Sequence, residues 1–128
     1  MELYIGGYGQ GKLAYVLAQK KGEKLQIADG ANALDLLFEG EGIPVFCHLH
    51  LWCRRMLQEG REPEVFLQEM LEKHPNMILI SDEIGNGIVP MEAFEREYRE
   101  RLGRMLIMLA EKAERVERIL CGLGQRLK

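Results

Sequence analysis

Apolar positions along the chain alternate between short continuous runs and runs with helical spacing. Leu3-Tyr4-Ile5 is a compact β-prone run stopped by Gly6-Gly7, and Leu13, Val16 and Leu17 follow at intervals of three and four. This predicts strand, glycine loop, helix. A second strand is predicted around Lys24-Ala28, then a helical stretch carrying Leu34, Leu37 and Phe38, with Gly40 and Gly42 as punctuation. Ile43 to Leu49 has the apolar density of a buried strand and leads into Trp52, Met56 and Leu57 at helical spacing, ending at Gly60. Pro63 suits the first turn of a short helix with Val65, Phe66, Met70 and Leu71, which stops before Pro75.

Met77-Ile78-Leu79-Ile80 is a run of the kind produced by burial on both faces of a parallel sheet. Beyond S-D-E-I-G-N-G-I-V-P, the positions Phe94, Tyr98, Leu102, Met105, Leu109 and Ala113 predict one long amphipathic helix from Met91 to Ala113. Ile107 and Met108 widen its apolar surface, as a helix covered on two sides by a subunit interface would require. Val116, Ile119 and Leu120 read as a final strand followed by a glycine turn, or as continued helix to Leu120. Strands alternating with helices imply an α/β sandwich around a mostly parallel sheet.

Composition narrows the function classes. With 128 residues, 47% hydrophobic and 29% charged, residues 1–128 are expected to form a single domain. A net charge of −3, with Lys and Arg interleaved among Glu, offers no field for a phosphate backbone, so nucleic-acid binding is not expected. No stretch reaches the roughly 18 apolar residues of a membrane span. The start lacks the basic region and cleavage site of an export signal, which predicts a cytoplasmic protein. Three cysteines then suggest free thiols.

Gly6, Gly11 and Lys12 stand at the spacing G-x-x-x-x-G-K within the loop that joins the first strand to the first helix. In that context, backbone N–H groups and a helix N-terminus converge on an anion, while Lys12 would reach the terminal phosphates of a nucleotide. The alternative is a glycine-rich turn with a surface lysine. Leu13 fills the place usually held by Ser or Thr, whose hydroxyl coordinates magnesium. A lost metal ligand hurts phosphoryl transfer more than phosphate binding.

Taken together, G-G-Y-G-Q-G-K, H-L-H-L-W ending at Trp52, S-D-E-I-G-N-G-I-V-P at Ser81 to Pro90, Gly103-Arg104 and the ending C-G-L-G-Q-R-L-K resemble the adenosylcobinamide kinase and adenosylcobinamide-phosphate guanylyltransferase family of cobalamin biosynthesis. The resemblance implies a P-loop NTPase-like three-layer sandwich, ATP or GTP as ligand, a corrinoid as second substrate, and often a homotrimer. It implies two activities: phosphorylation of the corrinoid side chain, then GMP transfer through a guanylylated histidine. On this chain it assigns Gly6, Gly7, Gly9, Gln10, Gly11, Lys12 and Leu13 to the phosphate loop. Asp82, Glu83, Gly85, Gly87 and Pro90 fall in a loop beside it, with Lys12 and Glu83 as the catalytic candidates.

Three departures alter what the resemblance implies. The chain is shorter than a typical member between Ala28 and Ile43, where the family carries its acceptor histidine. Leu13 replaces the metal-binding hydroxyl, and Cys47 stands where an acidic residue is usual. The expectation is a nucleotide-binding protein that has lost guanylyl transfer, with magnesium poorly provided for and kinase activity in question. The alternative is a non-catalytic oligomeric assembly module whose loop is vestigial.

Cys47, His48, His50 and Cys53 include zinc-type ligands, but on a strand His48 and His50 would share one face while Cys47 faces the other, and no second pair completes a tetrahedral set. A buried strand end with one histidine near the cleft explains them as well. Asp29 reads either as a helix cap or as a metal or base partner at a strand end. The methionines read as gap-filling core, and His74 before Pro75 as a solvated loop residue.

Overall fold

The computed structural model describes residues 1–32, 34–35, 37–84 and 91–128. Its elements are β1 (Glu2–Gly6), α1 (Lys12–Gln19), β2 (Leu25–Asp29), β3 (Ile43–Cys47), α2 (Leu49–Gln58), α3 (Pro63–Lys73), β4 (Ile78–Asp82), α4 (Ala93–Lys112), β5 (Arg115–Leu120) and β6 (Leu123–Arg126). The strands form a mixed, mostly parallel six-stranded sheet in the order β2-β3-β4-β1-β5-β6, and only the β5–β6 pairing is antiparallel.

Alternation along the strands divides the core into two layers. Leu3, Phe46, Leu79 and Val116 point to one face, where they pack with Trp52 and Met56 of α2, Leu67 of α3, and Tyr98, Leu102, Met105 and Leu109 of α4. Tyr4, Val45, Cys47, Ile78, Ile80 and Ile119 point to the other, against Val16 of α1. The buried positions of α4 recur every three or four residues and make one stripe, as expected for a helix on a sheet. Met105 lies in that stripe and Met108 packs at its margin, whereas Ile107 is 62% exposed.

Three local expectations need correction. Of the described residues where spacing predicts a helix with Leu34, Leu37 and Phe38, Leu34 and Asp35 form a bend and Leu37 and Phe38 are irregular, not helical. Backbone carbonyls at and just before this stretch are engaged by α2: Trp52 Nε1–H donates to the Leu34 carbonyl at 2.8 Å, and Arg55 to the Ala31 carbonyl at 3.0 Å. The strand expected through Leu49 ends at Cys47, because His48 takes a left-handed conformation (φ 54°) and starts α2. The glycine turn after β5 is a two-residue hairpin, Cys121-Gly122, with φ of 52° and 72°. Positive φ at both positions matches the twist of paired strands, so the chain returns as the additional strand β6.

All five parallel strands point their carboxyl ends the same way. That edge brings together Gly6 and Asp82, register partners on β1 and β4, and Asp29 and Cys47, register partners on β2 and β3. Open α/β sheets bind ligands at this edge.

Candidate functional site

The loop from Gly6 to Gly11 depends on backbone geometry that few other residues allow. Gly9 and Gly11 have φ of 70° and 83°, in the left-handed region, and Gly11 is the residue from which α1 begins. A Cβ on Gly6 would lie 2.5 Å from the Ile119 carbonyl oxygen of β5. Gln10 ties the loop to the β5–β6 hairpin: its carbonyl accepts from Gly122 N–H at 2.9 Å and its side-chain Oε1 from Cys121 N–H at 2.7 Å. The first turn of α1 leaves N–H groups without intrahelical acceptors at the end of the loop.

Lys12 is 9% exposed, and its Nζ donates to the Gly7 carbonyl at 2.8 Å while lying 2.6 Å from Asp82 Oδ1. Asp82 also meets His50. The Asp82 backbone N–H donates to His50 Nδ1 at 3.1 Å, so Nδ1 is unprotonated and Nε2 carries the proton, 3.3 Å from Asp82 Oδ2. Burial holds the His50 pKa below its usual value, with the nearby His48 and Lys12 acting in the same direction and Asp82 opposing. His50 is thereby a neutral ring that positions the Asp82 carboxylate against Lys12.

These groups line a cleft of about 540 Å³ bounded by the glycine loop, the first turn of α1 and the ends of β3 and β4. Gly9, Gln10, Gly11, Lys12, Leu13 and Asp82 all line it. Leu13 contributes an apolar wall where a hydroxyl would stand. Glu83 is placed differently: its N–H donates to the Gly6 carbonyl at 2.8 Å, its Oε2 accepts from Arg118 Nε at 3.2 Å, and it is not among the described residues lining the cleft. Gly85, Gly87 and Pro90 lie outside the described residues.

Cys47 and His48 line the same cleft. The His48 Nδ1–H donates to Asp29 Oδ1 at 2.7 Å, and Asp29 Oδ1 also accepts from Ala31 N–H at 2.9 Å. Asp29 thus caps a turn, and among the described residues no helix follows it directly. Burial works to raise its pKa, but the Ala31 N–H and the His48 ring outweigh that and hold it below its usual value. Cys53 is not part of this group: it is buried on the opposite face of the sheet, where desolvation pushes its thiol up to about 12. Pattern reading treated Asp29 and Cys47 separately; one follows the second predicted strand, the other lies within the third, and only the pairing of β2 with β3 makes them neighbours.

A family model described as "Cobinamide kinase / cobinamide phosphate guanyltransferase", CobU, matches residues 45–127. The bifunctional adenosylcobalamin biosynthesis protein CobP of Pseudomonas aeruginosa is 36% identical over 67 residues, which are 52% of this chain and 39% of that protein. The aligned part thus spans well under half of that relative. The family match starts after the glycine loop, so the loop stands on its own sequence and geometry. No helix among the described residues is long and apolar enough to cross a membrane.

Proposed function

We propose, because the chain belongs to the CobU family of cobinamide kinase / cobinamide phosphate guanyltransferases, that its cleft binds a purine nucleoside triphosphate, ATP or GTP, through residues 6–13. The observation that carries this reading is Lys12: a buried ammonium at the start of a helix, opening on a cleft whose wall is a left-handed glycine loop. Such a loop suits the close approach of backbone to phosphate, and Lys12 supplies the charge.

Asp82 is the carboxylate that lines the cleft beside Lys12, and it would hold Mg²⁺ together with water and phosphate oxygens. Leu13 and Cys47 offer no oxygen donors where a P-loop enzyme usually has them, so Mg²⁺ would be held loosely and turnover would be slow. When bound, Mg²⁺ would neutralise charge on the phosphates. Lys12 would orient the terminal phosphate, and His50 would keep the Asp82 carboxylate in place. A corrinoid is the acceptor that the family name implies for a kinase step. Residues 30–42 form the whole connection between β2 and β3, and with no acceptor-histidine segment there we read guanylyl transfer as lost.

Calorimetric titration with ATP and with GTP, with and without Mg²⁺, tests the reading. Lys12→Ala is expected to cost about 1.5–3 kcal/mol of binding, roughly 10- to 150-fold, the range for hydrogen bonds to charged groups. No binding of either nucleotide by folded protein would sink it. That outcome would favour the oligomeric assembly reading, for which the exposed Ile107 on α4 and Val65 on α3 supply apolar surface.

A further inference from the structure

Three different metal-ligand chemistries meet at the β2–β3 corner of the cleft. Asp29 ends β2, Cys47 ends β3 as its register partner, and His48 follows at once. A carboxylate oxygen, the Cys47 sulfur and an imidazole nitrogen all lie within 4.8 Å of one another. Tetrahedral ligands at metal bond lengths of about 2.0–2.3 Å stand roughly 3.3–3.8 Å apart, so shifts of about an ångström would close the set. The left-handed turn at His48 carries its ring back toward β2, which a continued strand would not do.

We propose that Asp29, Cys47 and His48 form a binding site for a zinc-class divalent cation, with the remaining coordination positions taken by water or by a ligand in the cleft. The donor set selects the metal. Thiolate and imidazole suit Zn²⁺ or Co²⁺ and disfavour Mg²⁺, which takes hard oxygen ligands. Binding displaces the Cys47 thiol proton to solvent, the ordinary cost of metal capture by a thiol, while the neutral His48 ring keeps its single proton, which passes from Nδ1 to Nε2 so that the Nδ1 lone pair can ligate. Burial, and then the Asp29 charge, push the Cys47 thiol up to about 11, and a cation beside it reverses that balance. Cys53, on the other face, takes no part, and His50 is engaged with Asp82.

The site deepens the nucleotide reading, and its role toward phosphates rests on that reading. Cys47 and His48 line the cleft that Lys12 lines, so a metal here stands near the bound phosphates although Leu13 and Cys47 are poor magnesium ligands. The metal site is testable without any nucleotide.

The experiment is titration of the full chain, stripped with chelator, with Co²⁺, reading the near-ultraviolet thiolate-to-cobalt charge-transfer band. One equivalent is expected to saturate it, and Zn²⁺ to abolish it by displacement. Cys47→Ser should remove the band. Asp29→Asn and His48→Gln, at half-exposed positions that leave the fold intact by circular dichroism, should each weaken binding by roughly tenfold or more. Cys121→Ser, at the exposed thiol, should change nothing. The proposal is overturned by the absence of a band in folded protein, by a band that follows Cys121, or by one that ignores both Asp29→Asn and His48→Gln. Lys12-dependent ATP binding without a cobalt band would remove this site and keep the nucleotide reading. The reverse result would keep the metal and remove the nucleotide.

Discussion

The two ends of the cleft are built alike and specified differently. At one end Gly6 and Asp82 close neighbouring parallel strands, and at the other Asp29 and Cys47 do the same. The first end carries a cation, Lys12, held in place by an acid. The second carries oxygen, sulfur and nitrogen donors. As proposed, the first end takes an anion and the second a metal. The glycine-loop end is mostly one continuous stretch of chain, so spacing alone exposes it. The other end arises only when β2 pairs with β3, which spacing does not report.

The largest expected effects would show whether both ends are equally rigid. A Cβ on Gly30, just after β2, would lie 2.6 Å from the His48 carbonyl oxygen, 2.6 Å from Trp52 Cβ and 2.9 Å from Phe46 Cε1, whereas on Gly6 the close contact is with one backbone group, the Ile119 carbonyl. Neither glycine is in the left-handed region, so Ala is strained by crowding alone. Overpacking of this kind costs about 1–3 kcal/mol, and Gly30→Ala is expected near the top of that range, above Gly6→Ala, in urea denaturation. Gly6→Ala should also weaken ATP binding, and Gly30→Ala, by displacing the His48 backbone, should weaken Co²⁺ binding. If both variants damage both ligands equally, the ends are not independent and the comparison fails.

A smaller effect separates two adjacent carboxylates. Asp82→Asn removes a negative charge beside the proposed phosphate site and releases Lys12, so ATP binding without Mg²⁺ should tighten by on the order of 1–2 kcal/mol, roughly tenfold, for charges a few ångströms apart in a half-wet cleft. Any Mg²⁺ enhancement should disappear. Glu83→Gln breaks a partly exposed pair with Arg118, worth about 0.2–1 kcal/mol of stability, and should leave nucleotide affinity within about twofold. Calorimetry on both variants decides the matter. Loss of the Mg²⁺ effect in Glu83→Gln alone would give the metal role to Glu83, the residue that the family resemblance favours.

The contrast also explains what the sequence made legible. β1, the glycine loop, α1, β4 and α4 all carry their signals locally: a compact apolar run, a glycine pair, a stripe at Tyr98, Leu102, Met105 and Leu109. Their order was enough for the α/β fold. Leu34, Leu37 and Phe38 show helical spacing as well, yet Leu37 is 80% exposed and the backbone carbonyls of Ala31 and Leu34 are claimed by Arg55 and Trp52. Tertiary hydrogen bonds outcompete the local ladder there. β6 is exposed on every residue, so no alternation marks it, and its existence depends on Cys121 accepting a left-handed conformation. In the site, Lys12 could be named from spacing, whereas its contact with Asp82 and the seating of that acid by His50 follow from the pairing of β1 with β4 and the sharp start of α2.

The last expected effect concerns that seating, through pH. His50 has a folded pKa below its ordinary 6.5 because its ring is buried, so between the folded and unfolded values the unfolded chain holds the extra proton. Stability therefore rises with pH across that window. The contribution is complete above about 6.5 and is lost as pH falls through the folded value, with a slope of at most about 1.4 kcal/mol per pH unit for one proton. Asp82, Lys12, His48 and Asp29 surround the ring and shape the same window. His50→Asn keeps an acceptor for the Asp82 N–H and removes the titration. Urea denaturation from pH 8 to pH 5 should show a flatter dependence in His50→Asn than in the parent protein. An equal slope in both would mean that protonation of His50 is not what loosens this end of the cleft.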